Sequence, residues 1–174
     1  MKPIAVIDSS CVIALDILRL LPTLSLLFSR VLLPRAVRAE LNQRQIMKDR
    51  VAAFQSEYAS FVIFCDQYDQ GAVDILLSEK KRLGKKDRGE TEAVVQASME
   101  GAMVIIDDRD GRRLARQQSV DCHGTIWILE QLQKLGLLGP LTLRRCFVEL
   151  QTREIRFPKN EANNLLQRFG EEPL

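Results

Sequence analysis

Residues 3–10 read Pro-Ile-Ala-Val-Ile-Asp-Ser-Ser, and their pattern indicates the class of fold. Its apolar residues, Ile4 to Ile7, form an unbroken run rather than an alternating one, which predicts a strand that is buried on both faces. Asp8 follows directly, and either of the next two serines is suited to cap a helix that runs on from Cys11. A buried strand that leads at once into a helix is typical of α/β proteins with a parallel sheet.

The same alternation of strands and helices continues along the chain. Apolar runs predict further strands at 31–33, 61–64, 103–106 and 120–122, and capped or amphipathic segments predict helices at 35–41, 46–57, 90–99, 109–118 and 125–135. We therefore expect an α/β protein with a mainly parallel sheet covered on both faces. Helical periodicity recurs at 141–150 and 160–169, so residues 137–174 are predicted to form a helical extension packed on a domain of residues 1–136.

The bulk composition restricts the class of protein. The chain has 174 residues, 46% of them hydrophobic, which is enough for one continuous core. Its formal net charge of +2 excludes a strongly basic, histone-like binder, so any affinity for nucleic acid must come from local clusters. The four cysteines form no C-x-x-C pair, which disfavours a zinc ribbon and favours reduced thiols. We expect a soluble, cytoplasmic protein without a signal peptide or a membrane span.

Acidic residues are predicted to converge at one edge of the sheet. Asp8 follows the first strand, and the adjacent Asp107 and Asp108 follow the fourth. Glu40 lies on the helix after the second strand. Because ligands of parallel sheets gather beyond the carboxyl ends of the strands, these carboxylates, together with Glu90 or Glu92 at the start of a later helix, form a candidate site. For any one of these acids, a cap or a solvated turn is the simpler interpretation, and one of the two aspartates is suited to cap the following helix.

A cluster of carboxylates must either raise its pKa values or bind cations, because like charges a few ångströms apart repel. Oxygen ligands with few histidines or cysteines suit Mg²⁺ or Mn²⁺. One or two such ions would polarise a phosphoryl oxygen and lower the pKa of water. The predicted cofactor is therefore Mg²⁺ or Mn²⁺, and the predicted chemistry is cleavage of phosphodiester bonds.

Two groups of cations lie next to these acids in the sequence. Residues 80–88 contain six lysines and arginines, among them Lys85, Lys86 and Arg88, and an arginine stripe with helical spacing follows Asp108: Arg109, Arg112, Arg113 and Arg116. Both groups are candidates for phosphate contacts that position a nucleic acid without reading its bases. The alternative for both is a solvated surface paired with nearby acids.

Three hydroxyl residues and two aromatic residues complete the set of candidates. Ser9 or Ser10 and Thr125 are suited to hydrogen-bond a ligand, although capping is their simpler role. His123, the single histidine of the chain, is expected to be structural, and the set required for Ser-His-Asp chemistry is therefore incomplete. Trp127 lies on an apolar helix face and is expected to belong to the core.

Five motifs in order give the chain a family resemblance: V-I-D-S-S at 6–10, P-R-A-V-R-A-E-L at 34–41, D-R-G-E-T-E-A-V at 87–94, V-I-I-D-D-R-D-G-R-R-L-A at 104–115 and H-G-T-I-W-I-L at 123–129. Over residues 3–136 this set resembles the PIN domain family, and more narrowly its prokaryotic branch related to VapC-type toxins. The resemblance implies a three-layer α/β/α fold around a parallel sheet of four or five strands. It also implies a Mg²⁺- or Mn²⁺-dependent nuclease.

The resemblance assigns the catalytic acids to Asp8, Glu40, Glu92 and Asp108. Asp107 is a near-equal candidate for the fourth acid and Glu90 a candidate for the third, where the family commonly has aspartate rather than glutamate. The implied function is an endoribonuclease, in one version the toxin of a toxin–antitoxin pair. RNA is the expected substrate, ahead of DNA, and an antitoxin and a second copy of the chain are the expected partners. The alternative is a nucleic-acid-binding protein of the same fold with weak or lost catalysis.

Overall fold

The computed structural model describes residues 2–43, 45–82 and 88–174. At its centre is one sheet of five parallel strands in the order β3-β2-β1-β4-β5, formed by Ile4–Ile7 (β1), Arg30–Pro34 (β2), Val62–Cys65 (β3), Met103–Ile105 (β4) and Cys122–His123 (β5). The predicted α/β class with a central parallel sheet is thereby confirmed. β1 is the central strand, and three of its four residues are fully buried, as its unbroken apolar run predicts.

Helices flank the sheet and connect its strands. Their bounds are Ser9–Ile17 (α1), Leu24–Leu27 (α2), Arg35–Asn42 (α3), Gln45–Glu57 (α4), Gln70–Arg82 (α5), Arg88–Glu100 (α6), Arg109–Gln117 (α7), Thr125–Lys134 (α8), Pro140–Thr152 (α9) and Lys159–Arg168 (α10), with a 3-10 turn at Leu21–Thr23. α6 packs against β1, β2 and β4 and contacts α3, α5 and α7. This central position explains why residues 89–97 of α6 are all buried.

The two C-terminal helices share the core of the α/β part. α9 contacts α1 and α8, and α10 contacts α8 and α9. Their inward faces are almost fully buried at Leu143, Phe147, Leu150, Leu165 and Leu166. The apolar positions of these two helices are thus mostly core, whereas Leu141 is 56% exposed.

The structure differs from the predicted elements in a few places. No helix was predicted at 70–82, where α5 lies. The third strand begins and ends one residue later than predicted, and the fifth is only Cys122–His123. The short α2 and the turn before it also went unpredicted, because Leu20 to Leu27 reads as one apolar continuation of α1.

A helix that crosses a bilayer must be long and apolar. Within the described ranges no single helix is both long and apolar enough to cross a membrane, although the bent pair Ser9–Ile17 and Leu21–Leu27 would pass by length and composition together.

Candidate nuclease site

Two acids meet beyond the ends of the central strands. The backbone N–H of Asp8 donates to the carbonyl of Ile105 at 3.0 Å, so the residue after β1 is tied to the end of β4. Asp107 follows β4 by two residues, and its charge acts on Asp8. Both carboxylates are largely enclosed: Asp8 is 4% exposed and the Asp107 side chain 9%. The parallel pairing of β1 with β4 therefore places these two acids together.

The enclosure of the site changes the pKa values of the ionisable groups inside it. Burial raises the pKa of the Asp8 carboxyl, hydrogen bonds from Ser10 lower it, and the charge of Asp107 raises it, with a raised pKa as the net result. The Cys11 thiol is 0% exposed in the same place, and burial together with the charges of Asp107 and Asp8 raises its pKa well above the usual range. Both raised pKa values show that the enclosed site disfavours negative charge. A cation bound there would therefore lower them.

Each of three acids accepts a short hydrogen bond from a hydroxyl. Ser10 Oγ donates to Asp8 Oδ2 at 2.6 Å, Ser9 Oγ donates to Glu40 Oε2 at 2.6 Å, and Thr125 Oγ1 donates to Asp107 Oδ2 at 2.6 Å. These lengths are typical of hydroxyl-to-carboxylate bonds. The hydroxyls therefore orient the carboxylates.

Helix N-termini offset part of the negative charge. Asp8 is the N-cap of α1 and accepts from Ser10 N at 3.1 Å. Asp107 accepts from Thr125 N, at the start of α8, at 2.9 Å. Glu92 accepts from Ala36 N, at the start of α3, at 2.8 Å. Three acids thus face the positive ends of three helices, an arrangement that stabilises carboxylates.

Glu40 lies over Gly89, the second residue of α6. A Cβ placed on Gly89 would stand 2.9 Å from Glu40 Cδ and 3.0 Å from Oε2, inside van der Waals contact. A side chain at this position of α6 would therefore displace the Glu40 carboxylate. Because Ser9 links Glu40 to the residue next to Asp8, Glu40 belongs to the same acidic edge.

Glu90 and Glu92 of α6 point to different neighbours. Glu92 is 1% exposed, accepts from Arg88 Nε at 2.7 Å, and lines a cavity of about 360 Å³ together with Glu40. Glu90 is 9% exposed and lies on the α7 side, where its carboxyl would be 3.3 Å from a Cβ on Gly111. Glu92 thus accompanies Glu40, whereas Glu90 stands against the helix that follows the aspartate pair.

Asp107 and Asp108 have separate roles. Asp108 is the N-cap of α7, with Oδ1 accepting from Asp110 N at 2.7 Å and Gly111 N at 3.1 Å, and it is exposed. Asp107 faces Thr125 and Asp8 instead. The geometry favours Asp107, rather than Asp108, as the fourth acid of the site.

The arginines that were predicted to contact phosphate lie in different surroundings. Arg112 turns inward: its Nε donates to the Ile106 carbonyl at 2.9 Å, and its Nη2 lies 3.8 Å from Asp107 Oδ1. Arg113 pairs with Asp110, while Arg109 and Arg116 are exposed. Arg88 is 44% exposed and also donates to Tyr68 Oη at 2.8 Å. Lys85 and Lys86 lie outside the described residues.

The donors were tested against the metal that the acids suggest. In the portion of the chain that the structure describes, no group of three or more acidic, histidine or cysteine side chains is close enough to hold an ion. The pair Asp8 and Asp107, with Glu40 next to it, nevertheless has the hard oxygen donors that Mg²⁺ and Mn²⁺ prefer. Burial and, to a smaller extent, the charge of Asp107 raise the pKa of Asp8, and a cation beside these carboxylates would offset both effects. The residues fit such an ion in chemistry and in location.

Sequence reasoning missed the two glycines that admit these side chains. Gly89 makes room for Glu40, and a Cβ on Gly124 would collide with Asp107 Oδ1 and with Arg112. Each glycine stands directly beside a motif residue, Glu90 in one case and Thr125 in the other. Their position within the motifs is the signal that could have identified them.

A family model for PIN domains matches residues 4–171, so the match includes the C-terminal helices. Comparison with curated proteins finds no significant match. Among solved structures, a domain of a functionally unknown protein from Methanocaldococcus jannaschii DSM 2661 is 18% identical, with coverage of 71% of this chain and 91% of that one and a TM-score of 0.48. That likeness is too weak to carry a functional argument.

Proposed function

The chain belongs to the PIN domain family, and from that membership we propose that it is a metal-dependent endoribonuclease that hydrolyses RNA phosphodiester bonds. The observation that carries the proposal is the enclosed pair of Asp8 and Asp107 at the carboxyl ends of neighbouring strands, with Asp8 held at a raised pKa. PIN domains are generally nucleases and usually use divalent metals, so the acids of this chain lie in a fold suited to that chemistry.

Asp8, Asp107 and Glu40 would hold one or two Mg²⁺ or Mn²⁺ ions. When bound, such an ion polarises a phosphoryl oxygen and lowers the pKa of water. Ser9, Ser10 and Thr125 keep the carboxylates oriented through their 2.6 Å hydrogen bonds. We include Glu92 as the further acid, since it shares a cavity with Glu40, and Glu90 as its alternative.

Exposed arginines around the acids are proposed to hold the RNA backbone. Arg88 and Arg109 are exposed at the starts of α6 and α7 beside the acidic edge, and Arg116 is exposed in the last turn of α7. Phosphate contacts of this kind set position and carry no base specificity. Lys85 and Lys86, which precede α6, would add to the same contacts.

The test is cleavage by the purified chain. Single-stranded and structured RNA should be cut with Mg²⁺ or Mn²⁺ and left intact with a chelator, and Asp8→Asn should remove the activity. Asp16→Asn is the matched control, because Asp16 lies on α1 near the first site acid in sequence but pairs with Arg50 away from the site. Cleavage that persists in Asp8→Asn, or that needs no divalent ion, contradicts the proposal.

A second candidate is a nucleic-acid-binding protein with weak or lost catalysis. It is favoured by the engagement of two acids with arginines, Asp107 with Arg112 and Glu92 with Arg88, and by the absence of a three-donor cluster among the described residues. RNA binding that survives metal removal, without any cleavage, would identify this function.

The proposed partners follow from the branch of the family that the motifs resemble. We propose a toxin role with a separate antitoxin, and a homodimer. Exposed leucines at the junction of α8 and α9, Leu135, Leu137 and Leu141, are the apolar surface suited to such contacts. Co-expression with the product of a neighbouring reading frame, followed by measurement of complex mass and of cleavage, tests the toxin role.

A further inference from the structure

A cavity of about 490 Å³ opens beside Asp107, and the proposed cleavage chemistry does not use it. Its walls come from α7, β5, α8 and α10. The side chains that matter are Arg112, His123, Trp127, Glu130, Asn164 and Arg168. Its volume falls within the range of about 300–1,000 Å³ that is typical of small-molecule sites.

Stacked aromatic rings form one wall of this cavity. The rings of His123 and Trp127 stack with centroids 4.2 Å apart and an interplanar angle of 18°. Trp127 in turn packs on Phe28 at 6.3 Å. Phe28 is fully buried, whereas His123 and Trp127 are half-buried and line the cavity, so Trp127 is more accessible than its apolar surroundings in the sequence predict. Accessible aromatic rings of this kind stack readily with nucleobases.

Charges in the cavity are balanced rather than positive. Arg168 Nη1 donates to Glu130 Oε1 at 2.9 Å, and Arg112 Nη1 lies 3.6 Å from Glu161 Oε1. Asn164 adds a neutral amide. Phosphate would require net positive charge, whereas the edge of a base carries both hydrogen-bond donors and acceptors without charge. The walls therefore match a base better than a phosphate.

Arg112 connects the cavity to the acidic site. Arg112 contacts Asp107 through Nη2 and Glu161 through Nη1, so it reaches from one space to the other. Gly124 lines the cavity, and a Cβ on it would touch both Asp107 and Arg112. One nucleotide of an RNA strand lying across the acids would reach this cavity.

We propose that the cavity is a base-binding subsite, which takes the nucleobase adjacent to the phosphate that the acids cleave and stacks it on the face of the His123 ring that Trp127 leaves uncovered. This inference rests on the proposed nuclease function and adds a source of base selectivity that phosphate contacts lack.

Trp127 provides the measurement, because it is the single tryptophan of the chain. The metal-free protein is titrated with each of the four ribonucleoside monophosphates, and with ribose 5-phosphate as control, while tryptophan fluorescence is excited at the red edge of its absorption. Saturable quenching by at least one nucleotide and none by ribose 5-phosphate is expected. Absence of quenching by all four, or equal quenching by the control, overturns the subsite.

A pair of variants makes the same test on RNA. His123→Ala should weaken binding of a labelled single-stranded RNA about tenfold, as expected for the loss of a base-stacking surface, and His123→Phe should bind close to the wild-type level. Thermal unfolding of both variants is measured alongside to show that the fold is retained. Equal affinities in folded His123→Ala and wild type overturn the proposal.

These measurements separate the subsite from the catalytic proposal, because neither requires cleavage. Nucleotide-specific quenching in a protein that cuts no RNA supports base binding in the cavity and contradicts the nuclease function. Cleavage by a protein that shows no quenching overturns the subsite alone.

Discussion

Asp8 is an ionisable residue placed among apolar ones. Its neighbours Ala5, Val6, Ile7 and Cys11 are all 0% exposed, and its own hydrogen bonds come from Ser10. A buried acid of this kind reduces the free energy of unfolding wherever it is ionised, and such costs are common where a protein binds or reacts with a ligand.

The pH dependence of stability follows from the raised pKa of Asp8. The unfolded chain releases this proton near its ordinary pKa of 3.8 and the folded chain only at higher pH, so the unfolding free energy falls as pH rises above that value. Asn at position 8 keeps an oxygen for Ser10 and carries no charge. We expect Asp8→Asn to be more stable than wild type at neutral pH in metal-free buffer, with the difference vanishing below about pH 4.

Urea denaturation at several pH values measures this difference. Equal stabilities of the two proteins across the whole range would show that the Asp8 carboxylate is not penalised by its surroundings.

Gly89 is the second residue whose replacement is informative. Alanine is the better helix former by about 1 kcal/mol, so Gly89→Ala should leave the fold intact. Its methyl group would displace the Glu40 carboxyl, which stands 2.9 Å from the added Cβ at Cδ. We expect cleavage to fall about a hundredfold, as for other small displacements of a catalytic group.

Ser98→Ala, at an exposed position of the same helix, is the matched control for this variant. If Gly89→Ala retained wild-type turnover at wild-type stability, the position of Glu40 would not matter for the reaction.

At the scale of elements, the start of α7 separates the functions of two adjacent aspartates. Asp108 caps this helix, whereas Asp107 faces the start of α8. We expect Asp107→Asn to remove cleavage. Asp108→Ala should lower the unfolding free energy by about 1 kcal/mol through loss of the cap, with cleavage much closer to wild type.

The cleavage rate and the unfolding curve are measured for both variants, and together they decide which aspartate is the fourth acid. Loss of cleavage in Asp108→Ala at unchanged stability would move the fourth acid to Asp108.

The elements differ in how far the sequence predicts them. The unbroken apolar run from Ile4 to Ile7 predicts β1, and the segment between Gly89 and Gly101 predicts α6. α5 was missed because its apolar pattern is weak: Ile75 is 64% exposed, and the helix begins beside a glycine at position 71. The Asp69 side chain caps its first turn through Ala72 N, a signal that is easily taken for a loop aspartate.

At the scale of the whole molecule, the C-terminal helices are part of one core. Phe147 is 0% exposed, whereas the adjacent Val148 on the same helix is 42% exposed. We expect Phe147→Ala to lower the unfolding free energy by about 3–5 kcal/mol, and Val148→Ala to change it little. Both should unfold in a single transition that fluorescence and circular dichroism report alike.

Phe147→Ala could instead unfold in two separate transitions, the later of them at the midpoint of the wild-type protein. That result would show that residues 137–174 fold apart from the rest of the chain.

The candidate site was predictable in its location and not in its details. Parallel strands bring their carboxyl ends to one edge, so Asp8 and the aspartate pair had to lie near each other. Whether Asp107 or Asp108 faces inward depends on where α7 begins, because one residue of helix turns a side chain by about 100°. The inward turn of Arg112 depends on the Ile106 carbonyl and Asp107, which are contacts of the folded chain and not of the local pattern.

The strand order has a consequence for synthesis of the chain. β1 is made first, yet one of its neighbours, β4, is made about a hundred residues later, and Asp8 stays separated from Asp107 until that strand pairs. During translation β1 therefore has one open edge and the acids remain unassembled. The edge of the sheet that carries Asp8 and Asp107 therefore assembles only after the chain has been made through β4 and the residues that follow it.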